Sequence, residues 1–481
     1  MTNGVTIDLG KYPGASGVNG NGKTYTYDGG NVSIEENRNP AGLSGYKSVI
    51  HKPKDKETKI TSIQDSKSQT KFKNPITECE SVVVFYWESD DTHSNPLLLE
   101  LTSSNKSSSY YTLVNAGSDN TWSEDQGAAG TLRQKLNNQN CLKNRAHIVD
   151  ISRNSSYYCP SCNFQWVSVS NYDKTETSGD YSYSHHLSSG SFLRFMDGMT
   201  EQTGINFLQS TTRVYVYYYP SGYNRIPLLI YLPLPSNKWF ERTSVDSNTW
   251  KSVGGSKPTS TFDKEKILKI LKAILPTVTI DLGRTSGSSP TYSDSSEQIN
   301  LKRQDLTGSF SSLSHSVQGK SAFIVKNVQH NGSTLLGIDK SLILKNVTAY
   351  YEGDNLDSMD CLLMVELEKR GSGSNNYAYY GRDNTGYRWT LLDGKTEKLK
   401  STSLTNKLKE LKEKLANSSQ EPDTAGGQTA QLGGASEAQG KAAGLSSGVI
   451  AGIAIGVMGA VASIVILVWR RKVMVKAMTT L

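Results

Sequence analysis

The main body of this sequence lacks a concentration of charge of either sign. Its 481 residues carry a formal net charge of +7, and four of the 52 basic side chains lie in the last twelve residues. The rest of the chain is nearly neutral, with 48 basic and 45 acidic side chains. A nucleic-acid-binding surface needs basic side chains clustered on one face. The composition therefore predicts no nucleic-acid partner.

Histidine is scarce, and no catalytic motif is convincing. The chain has seven histidines, none of them in a recognisable acid–base or triad pattern. Gly444–Gly448 reads GLSSG and fits the G-x-S-x-G pattern, but that motif requires a strand before the serine and a packed helix after it. Here the pattern directly precedes a long apolar run. We predict no enzymatic activity, no catalytic residues and no cofactor.

One stretch matches a nucleotide-binding motif. Gly17–Thr24 reads GVNGNGKT, which fits G-x-x-x-x-G-K-[ST]. A phosphate-binding loop requires a strand that leads directly into the first glycine and a helix that begins at the lysine. Pro13 and Gly14 separate the strand predicted at Val5–Gly10 from the first glycine of the motif, Gly17. The alternating TYTY of Thr24–Tyr27 indicates a strand where the helix should begin. We interpret the stretch as a surface loop between two strands and keep a membrane-anchored nucleotide-binding protein or enzyme as an alternative.

The long apolar run lies near the C-terminus. Val449–Trp469 has no charged residue over 21 positions, and a helix of that length spans about 30 Å, the thickness of a bilayer core. We predict a single-pass transmembrane helix at 449–469 and, by the positive-inside rule, a cytosolic tail at 470–481. The predicted interfacial anchor consists of Trp469, Arg470, Arg471 and Lys472.

The N-terminus lacks the apolar core of a signal peptide, since residues 1–17 read MTNGVTIDLGKYPGASG. A body outside the membrane requires such a leader. We therefore expect either a leader missing from this sequence, which we favour, or insertion by the C-terminal helix. In the second case the protein is tail-anchored and its body faces the cytosol.

Glycines recur at every fourth position at the start of the apolar run. Gly448, Gly452 and Gly456 lie within it or at its border. Small residues on one face of a membrane helix let two backbones approach closely. We predict a homodimer that forms through this helix in the lipid bilayer.

Three similar units precede the membrane segment. VTIDLG occurs at Val5–Gly10 and Val278–Gly283, and IVDIS at Ile148–Ser152 is a degenerate third copy. The pattern predicts a β-rich α+β fold of three degenerate repeat modules, each with antiparallel strands and one amphipathic helix. The predicted modules are residues 5–147, 148–277 and 278–416. A low-complexity stretch rich in Gly, Ala, Ser and Gln at 417–448 predicts a flexible stalk.

Within each unit the same features follow in order. The predicted strand pairs are Val82–Trp87 with Pro96–Leu101, Val214–Tyr219 with Pro227–Leu232, and Val347–Tyr351 with Leu362–Leu367. Late tryptophans, which we assign to the core, are Trp122, Trp239, Trp250 and Trp389. Predicted helices cover Asp263–Leu275 and Ser403–Leu415, with a weaker one around Leu132 and Leu136.

Residues 5–416 resemble the FAINT repeats of Theileria-type piroplasm multigene proteins. The resemblance rests on features that recur in each unit: a Tyr-rich strand, a PLLL-like strand, an aromatic pair and a late Trp. The resemblance implies a secreted or membrane-exposed parasite protein, a host or parasite protein as its ligand, and no catalytic residues. We predict a non-enzymatic single-pass membrane protein at the parasite surface or in the secretory pathway, with its modules as a binding surface towards the host. A tail-anchored scaffold facing the cytosol is the alternative.

Cysteine is scarce as well: the chain has Cys79, Cys141, Cys159, Cys162 and Cys361. Cys159 and Cys162 form a C-x-x-C pair, typical of half a zinc site, a redox motif or a local disulfide. A zinc site needs a second ligand pair, and the nearby histidines His185 and His186 point to opposite faces of a predicted strand. We predict a disulfide between Cys159 and Cys162 and no metal site, with free thiols and a bound metal as alternatives.

Overall fold

The computed structural model describes residues 4–418 with internal gaps. The gaps are residues 22–23, 41, 67–70, 74–75, 77, 117–118, 126–130, 174–180, 206–210, 223, 234–236, 256, 286–288, 372–374, 384–387, 393 and 395. In the part of the chain that is described, no helix is long and apolar enough to cross a membrane. The predicted transmembrane helix, its anchor residues and the glycines Gly448, Gly452 and Gly456 lie outside the described residues.

The first segment, residues 4–144, is a large sheet closed by a helix. Its strands are β1 Gly4–Asp8, β2 Asn19–Asn21, β3 Thr24–Tyr27, β4 Val32–Arg38, β5 Tyr46–Pro53, β6 Lys59–Gln64, β7 Lys71–Phe72, β8 Cys79–Trp87, β9 Leu98–Ser103, β10 Ser108–Ala116 and β11 Asp119–Glu124, and its helix is α1 Leu132–Asn144. The sheet runs β2-β3-β4-β5-β8-β9-β10-β11-β7. β1 pairs in parallel with β6, which joins the sheet through β8.

The second segment, residues 146–274, has a main antiparallel sheet and a small sheet. Its strands are β12 Ala146–Asp150, β13 Tyr157–Tyr158, β14 Trp166–Asp173, β15 Tyr181–Leu187, β16 Ser191–Asp197, β17 Thr200–Gln202, β18 Arg213–Tyr219, β19 Ile226–Leu232, β20 Lys238–Arg242 and β21 Trp250–Ser252, and its helix is α2 Lys264–Ile274. The main sheet runs β13-β14-β15-β18-β19-β20-β21. β12 pairs in parallel with β16 in the small sheet, which β17 completes.

The third segment, residues 277–418, has the same order of elements. Its strands are β22 Thr277–Asp281, β23 Thr291–Asp294, β24 Glu297–Leu306, β25 Phe310–Val317, β26 Phe323–His330, β27 Ser333–Thr334, β28 Ile343–Glu352, β29 Leu362–Lys369, β30 Tyr377–Arg382 and β31 Trp389–Leu391, and its helix is α3 Ser401–Ser418. The main sheet runs β23-β24-β25-β28-β29-β30-β31, and β22 pairs in parallel with β26.

The predicted α+β class and the predicted elements are confirmed where the structure describes them. The three strand pairs become β8–β9, β18–β19 and β28–β29, all antiparallel. The helices become α1, α2 and α3. The strand that was expected to open the second unit at Ile148 begins two residues earlier, at Ala146. Within the motif stretch Gly17–Thr24, Asn19–Asn21 form β2 and Thr24 begins β3, which pairs with β2 in antiparallel orientation. Gly22 and Lys23 lie outside the described residues.

Side-chain alternation on the central strands separates two layers of core. Val214, Val216 and Tyr218 of β18 pack in one cluster, which also holds Trp250. Tyr215, Tyr217 and Tyr219 of the same strand pack in another, with Trp239 and with Ile267 and Leu271 of α2. Successive residues of a strand point to opposite faces of the sheet. The helix α2 covers the face that carries the three tyrosines of β18. The late tryptophans are buried, as predicted: Trp122, Trp239, Trp250 and Trp389.

Neighbouring segments are joined by polar side chains. Arg194 of β16 donates to the backbone carbonyl of Ser44 and to Glu201, and its guanidinium carbon lies 5.0 Å from the centre of the Tyr46 ring. On the other side of the second segment, Nε of Arg370 donates to Oδ1 of Asp246 at 2.7 Å. The described residues thus form one body, in which the second segment contacts both others.

Candidate metal centre

Four side chains of metal-binding type meet where the first segment passes into the second. They are Cys141, His147, Cys159 and Cys162, and their ligand atoms all lie within 4.8 Å of one another. The first three side chains are buried and Cys162 is half-buried. Among the described residues, no other group of three or more His, Cys, Asp or Glu side chains brings its ligand atoms close enough to hold a metal ion.

The local backbone brings the first two ligands together. Cys141 lies in the last turn of α1, and the helix ends at Arg145, which adopts a left-handed conformation with φ 51° and ψ 38°. A left-handed residue after a helix turns the chain away from the helix axis. Arg145 is the one residue between α1 and β12, which begins at Ala146. This short connection places His147 of β12 beside Cys141 of α1.

A tight turn between β13 and β14 supplies the other two ligands. The N–H of Asn163 donates to the carbonyl of Cys159 at 2.9 Å, and the N–H of Cys159 donates to the carbonyl of Gln165 at 2.8 Å. Pro160 follows the first cysteine, where its restricted φ suits a turn. The turn therefore holds the two thiols of the C-x-x-C pair on the side that faces α1 and β12.

Two of the distances between ligand atoms are close to the edges of a tetrahedral zinc site, and a third is shorter. Sγ of Cys141 lies 3.7 Å from Sγ of Cys159, and Sγ of Cys162 lies 3.8 Å from Nδ1 of His147. Zn–S and Zn–N bonds of about 2.3 and 2.0 Å give tetrahedral edges of about 3.8 Å between sulfurs and about 3.5 Å between sulfur and nitrogen. Sγ of Cys141 and Nδ1 of His147, at 2.8 Å, form a thiol–imidazole hydrogen bond and would separate by about 0.7 Å around a metal.

The surroundings favour a thiolate at Cys159. The contact between the two thiols lowers the pKa of Cys159 and raises the pKa of Cys141. The backbone N–H of Ile148 donates to Sγ of Cys159 at 3.4 Å. Ile148 and Met196 supply the apolar side of the cluster. Hydrogen bonds from backbone N–H groups to a ligand sulfur are typical of metal–thiolate sites.

Only the C-x-x-C half of this cluster was predicted from the sequence. Cys159 and Cys162 are free thiols in the structure, and their disulfide stays a prediction for an oxidised chain. His185 and His186 do lie on opposite faces of β15, one buried and one half-buried, but neither belongs to the cluster. The missed ligands Cys141 and His147 precede the pair. The signal that could have revealed them is the spacing C-x5-H-x11-C-x2-C.

Three other buried histidines each contact a tyrosine in the same way. Nδ1 of each ring lies near a phenol oxygen: His51 and Tyr27 at 3.3 Å, His185 and Tyr157 at 3.2 Å, and His315 and Tyr292 at 3.4 Å. Each phenol oxygen also accepts a backbone N–H: from Asp8 at 3.0 Å, from Asp150 at 2.8 Å and from Asp281 at 3.1 Å. We call this arrangement the Asp–Tyr–His contact; each segment contains one.

The aspartates of these contacts hold the opening strand of each segment to its parallel partner. Oδ1 of Asp8 accepts from the N–H of Gly10 at 3.0 Å and of Ser66 at 2.9 Å. The equivalent pairs of donors are Ser152 and Gly198 for Asp150, and Gly283 and Asn331 for Asp281. In each case one donor follows the opening strand and the other follows its partner strand, so one carboxylate caps both strand ends.

Burial keeps the histidines of these contacts neutral. Desolvation lowers the pKa of His51 and His185 to about 4 and that of His315 to about 3. Nε2 of each ring is buried and has no hydrogen-bond partner among the described residues. A neutral ring whose Nδ1 accepts from tyrosine carries its proton on Nε2. These rings do not reach a surface where they could exchange protons with a substrate.

A cavity of about 570 Å³ lies in the first segment beside α1. Its wall includes Leu9, His93, Val114, Leu142 and Lys143. Burial lowers the pKa of Lys143 to about 8, and its Nζ donates to the carbonyl of Pro96 at 2.8 Å. The lysine ammonium is therefore held by a backbone carbonyl at the wall of the cavity.

Comparisons with known proteins add no relative from which a role could be transferred. No family model matches the chain, and searches of curated proteins and of solved structures also found no match.

Proposed function

We propose that this chain is a non-enzymatic membrane protein that uses three copies of one module as an interaction surface. The observation that carries the proposal is the Asp–Tyr–His contact, which occurs once in each segment on equivalent strands. The histidine comes from β5, β15 or β25, and the aspartate from the opening strand β1, β12 or β22. Unrelated domains would have no reason to repeat such a contact.

The same observation argues against acid–base catalysis by these groups. Buried histidines with shifted pKa values are normally candidates for catalytic residues. Here the shift arises from burial behind a sheet, and the same contact recurs in every segment. Structural hydrogen-bond networks also perturb pKa values, and recurrence in three copies favours that explanation over chemistry at one site.

The membrane part of the proposal rests on the sequence. The 21 uncharged residues at 449–469 and the basic residues after them support a single-pass helix with its C-terminal tail in the cytosol. The modules would then face outward from the parasite surface or in the secretory pathway. Their ligand would be a host or parasite protein, as the resemblance to piroplasm FAINT repeats implies. A tail-anchored protein with a cytosolic body is the second topology.

The nucleotide-binding alternative has little support from the local structure. A strand, Thr24–Tyr27, lies where a phosphate-binding loop needs a helix. Without a helix N-terminus, backbone N–H groups do not converge on a phosphate.

Topology and binding can be tested on the full chain expressed in cells. We expect a membrane-impermeant amine reagent to label the modules on intact cells, and labelled protein to bind host cells saturably in competition with unlabelled chain. Labelling only after permeabilisation would favour the tail-anchored topology. Labelling without saturable binding would contradict the interaction function.

A second experiment addresses enzymatic alternatives. The melting temperature of the full chain in detergent is measured with and without ATP or GTP and Mg²⁺. We expect no shift beyond the error of the measurement. A nucleotide that did bind, at 100 times its Kd, would stabilise the chain by about 2.7 kcal/mol, which the measurement would detect. A clear Mg²⁺-dependent rise would contradict the proposal.

A further inference from the structure

We infer that Cys141, His147, Cys159 and Cys162 form a zinc site that joins the end of the first segment to the start of the second. The inference is independent of the proposed interaction function, because it concerns only these four side chains. It replaces the local disulfide as the use of the C-x-x-C pair.

The ligand set is one that zinc prefers. Three thiols and one imidazole make a Cys₃His set, one of the common structural zinc sites. Soft thiolate ligands also bind Cu(I) and iron–sulfur clusters, but an imidazole nitrogen with three sulfurs in tetrahedral arrangement is typical of zinc. Four ligands from the protein complete the coordination shell, which is the pattern of a structural site and leaves no open position for substrate.

Metal binding requires a definite change of protonation. Cys159 binds Zn²⁺ as the thiolate that its surroundings favour, whereas Cys141 and Cys162 each lose a proton when their sulfurs bind. The imidazole binds as the neutral ring through Nδ1 and carries its one proton on Nε2. Two protons are released, and the site then carries a net charge of −1. The hydrogen bond between Sγ of Cys141 and Nδ1 of His147, at 2.8 Å, is exchanged for two bonds to the metal.

The site would connect elements of the first and second segments. Cys141 belongs to α1, whose Leu136 packs under the first sheet. His147 belongs to β12, and the C-x-x-C turn leads into β14 of the second main sheet. One metal ion would therefore link a helix of the first segment to both sheets of the second. It would add to the packing of Cys141 against Ile148 and to the ion pair between Arg133 of α1 and Glu201.

The arrangement also explains two cysteines that stand apart. Cys79 is buried in β8, and Cys361, the residue before β29, is half-buried. Neither belongs to the cluster of four. These two cysteines can therefore serve as controls for variants of the cysteines in the cluster.

The test is the metal content of the full chain, purified in detergent under reducing conditions without chelator. We expect one zinc per chain by elemental analysis. Cys159→Ser and Cys162→Ser should lose the bound zinc, and Cys361→Ser, the matched control, should keep it. Cys162→His replaces one zinc ligand by another and should retain at least part of the metal.

Cobalt provides a readout that does not depend on how well the variants fold. Removal of zinc from the unmodified chain and addition of Co²⁺ should produce the visible bands of tetrahedral cobalt together with sulfur-to-metal charge-transfer absorption. Addition of Zn²⁺ should remove both. Chelation should also lower the melting temperature of the unmodified chain by at least about 5 °C, because metal that binds only the folded state stabilises it.

Two results would overturn the inference. One is a chain that is purified with its thiols reduced, contains no zinc and gives no tetrahedral cobalt spectrum. The other is a disulfide between any two of Cys141, Cys159 and Cys162, found by mass spectrometry in the freshly purified protein. Loss of zinc in Cys361→Ser as well would show that the metal is bound elsewhere.

Discussion

The phenol oxygen of Tyr157 lies 3.2 Å from Nδ1 of His185, deep between the two sheets of the second segment. The same oxygen accepts the backbone N–H of Asp150 at 2.8 Å. The hydroxyl thus links a strand of the small sheet to a strand of the main sheet. Both side chains are buried, so the contact is shielded from water.

Removal of this hydroxyl should destabilise the protein. In Tyr157→Phe the ring is kept, but the N–H of Asp150 and Nδ1 of His185 both lose their partner. An unsatisfied buried polar group costs about 1–3 kcal/mol, so we expect the free energy of unfolding to fall by about 2 kcal/mol. Urea denaturation of the variant and the unmodified chain measures the difference.

The adjacent residue is the matched control. Tyr158 is 56% exposed, and Tyr158→Phe should change the free energy of unfolding by less than about 0.5 kcal/mol. Equal losses for the two variants would show that the Tyr157 hydroxyl has no special role.

Stability should fall as the pH drops below about 6.5. The pKa of His185 is about 4 in the folded protein, below its ordinary value of 6.5, so the unfolded chain takes up the proton first. Stability from the neutral ring is therefore present above pH 6.5 and is lost as the pH falls towards 4. At pH 5 the loss is about 2 kcal/mol relative to pH 7. His51 behaves in the same way, and for His315 the window extends to about pH 3.

A histidine variant separates this effect from the titration of carboxylates. In His185→Gln we expect a flatter dependence of the unfolding free energy on pH between 6.5 and 4. His186→Gln, on the opposite face of the same strand and only half-buried, should flatten it less. Parallel curves for His185→Gln and the unmodified chain would contradict the assignment.

The junction of the first and second segments should depend on Arg194. This side chain is 8% exposed, contacts Glu201 and donates to the carbonyl of Ser44. Arg194→Ala leaves these groups without their buried donor, and we expect a loss of about 2–3 kcal/mol in denaturation experiments. The control is Arg153→Ala, whose partner is Asp150 but whose side chain is 60% exposed; it should cost less than about 0.5 kcal/mol. If Arg153→Ala destabilised the protein as much as Arg194→Ala, the burial of Arg194 would not explain the loss.

The helix of the second segment should contribute through one face. Leu271 of α2 is fully buried against the tyrosine face of β18, and Leu271→Ala leaves a cavity there. We expect it to lower the free energy of unfolding by about 3 kcal/mol. Lys269 lies on the exposed side of the same helix, and Lys269→Ala should have no measurable effect. Similar values for both would mean that α2 is not packed as described.

Self-association through the predicted membrane helix can be measured in a bilayer-based dimerisation assay. The double variant Gly452→Leu and Gly456→Leu should abolish association, because large side chains would keep the two helices apart. Ala454→Leu places the same side chain on the opposite face and should leave association unchanged. Dimers that survive the double variant would exclude a glycine-mediated contact.

Local patterns in the sequence predicted the central strand pair and the helix of each segment. The strands β8, β18 and β28 and the helix α2 were read from alternation and from helical spacing, both of which depend on residues close along the chain. The burial of Trp250 and Trp389 followed from the same patterns. Periodicity indicates which face of an element is buried, and this information is present in the sequence itself.

Tertiary structure alone decided which distant side chains meet. The thiol of Cys141 reaches Cys159 because Arg145 takes a left-handed conformation and a turn folds the C-x-x-C pair back on β12. Arg194 reaches the carbonyl of Ser44 across 150 positions of the chain. Such meetings depend on the path of the backbone between the residues, and no periodic pattern records that path. The sequence therefore determined the central elements and their buried faces, and the fold determined which cysteines and which histidine form the candidate metal centre.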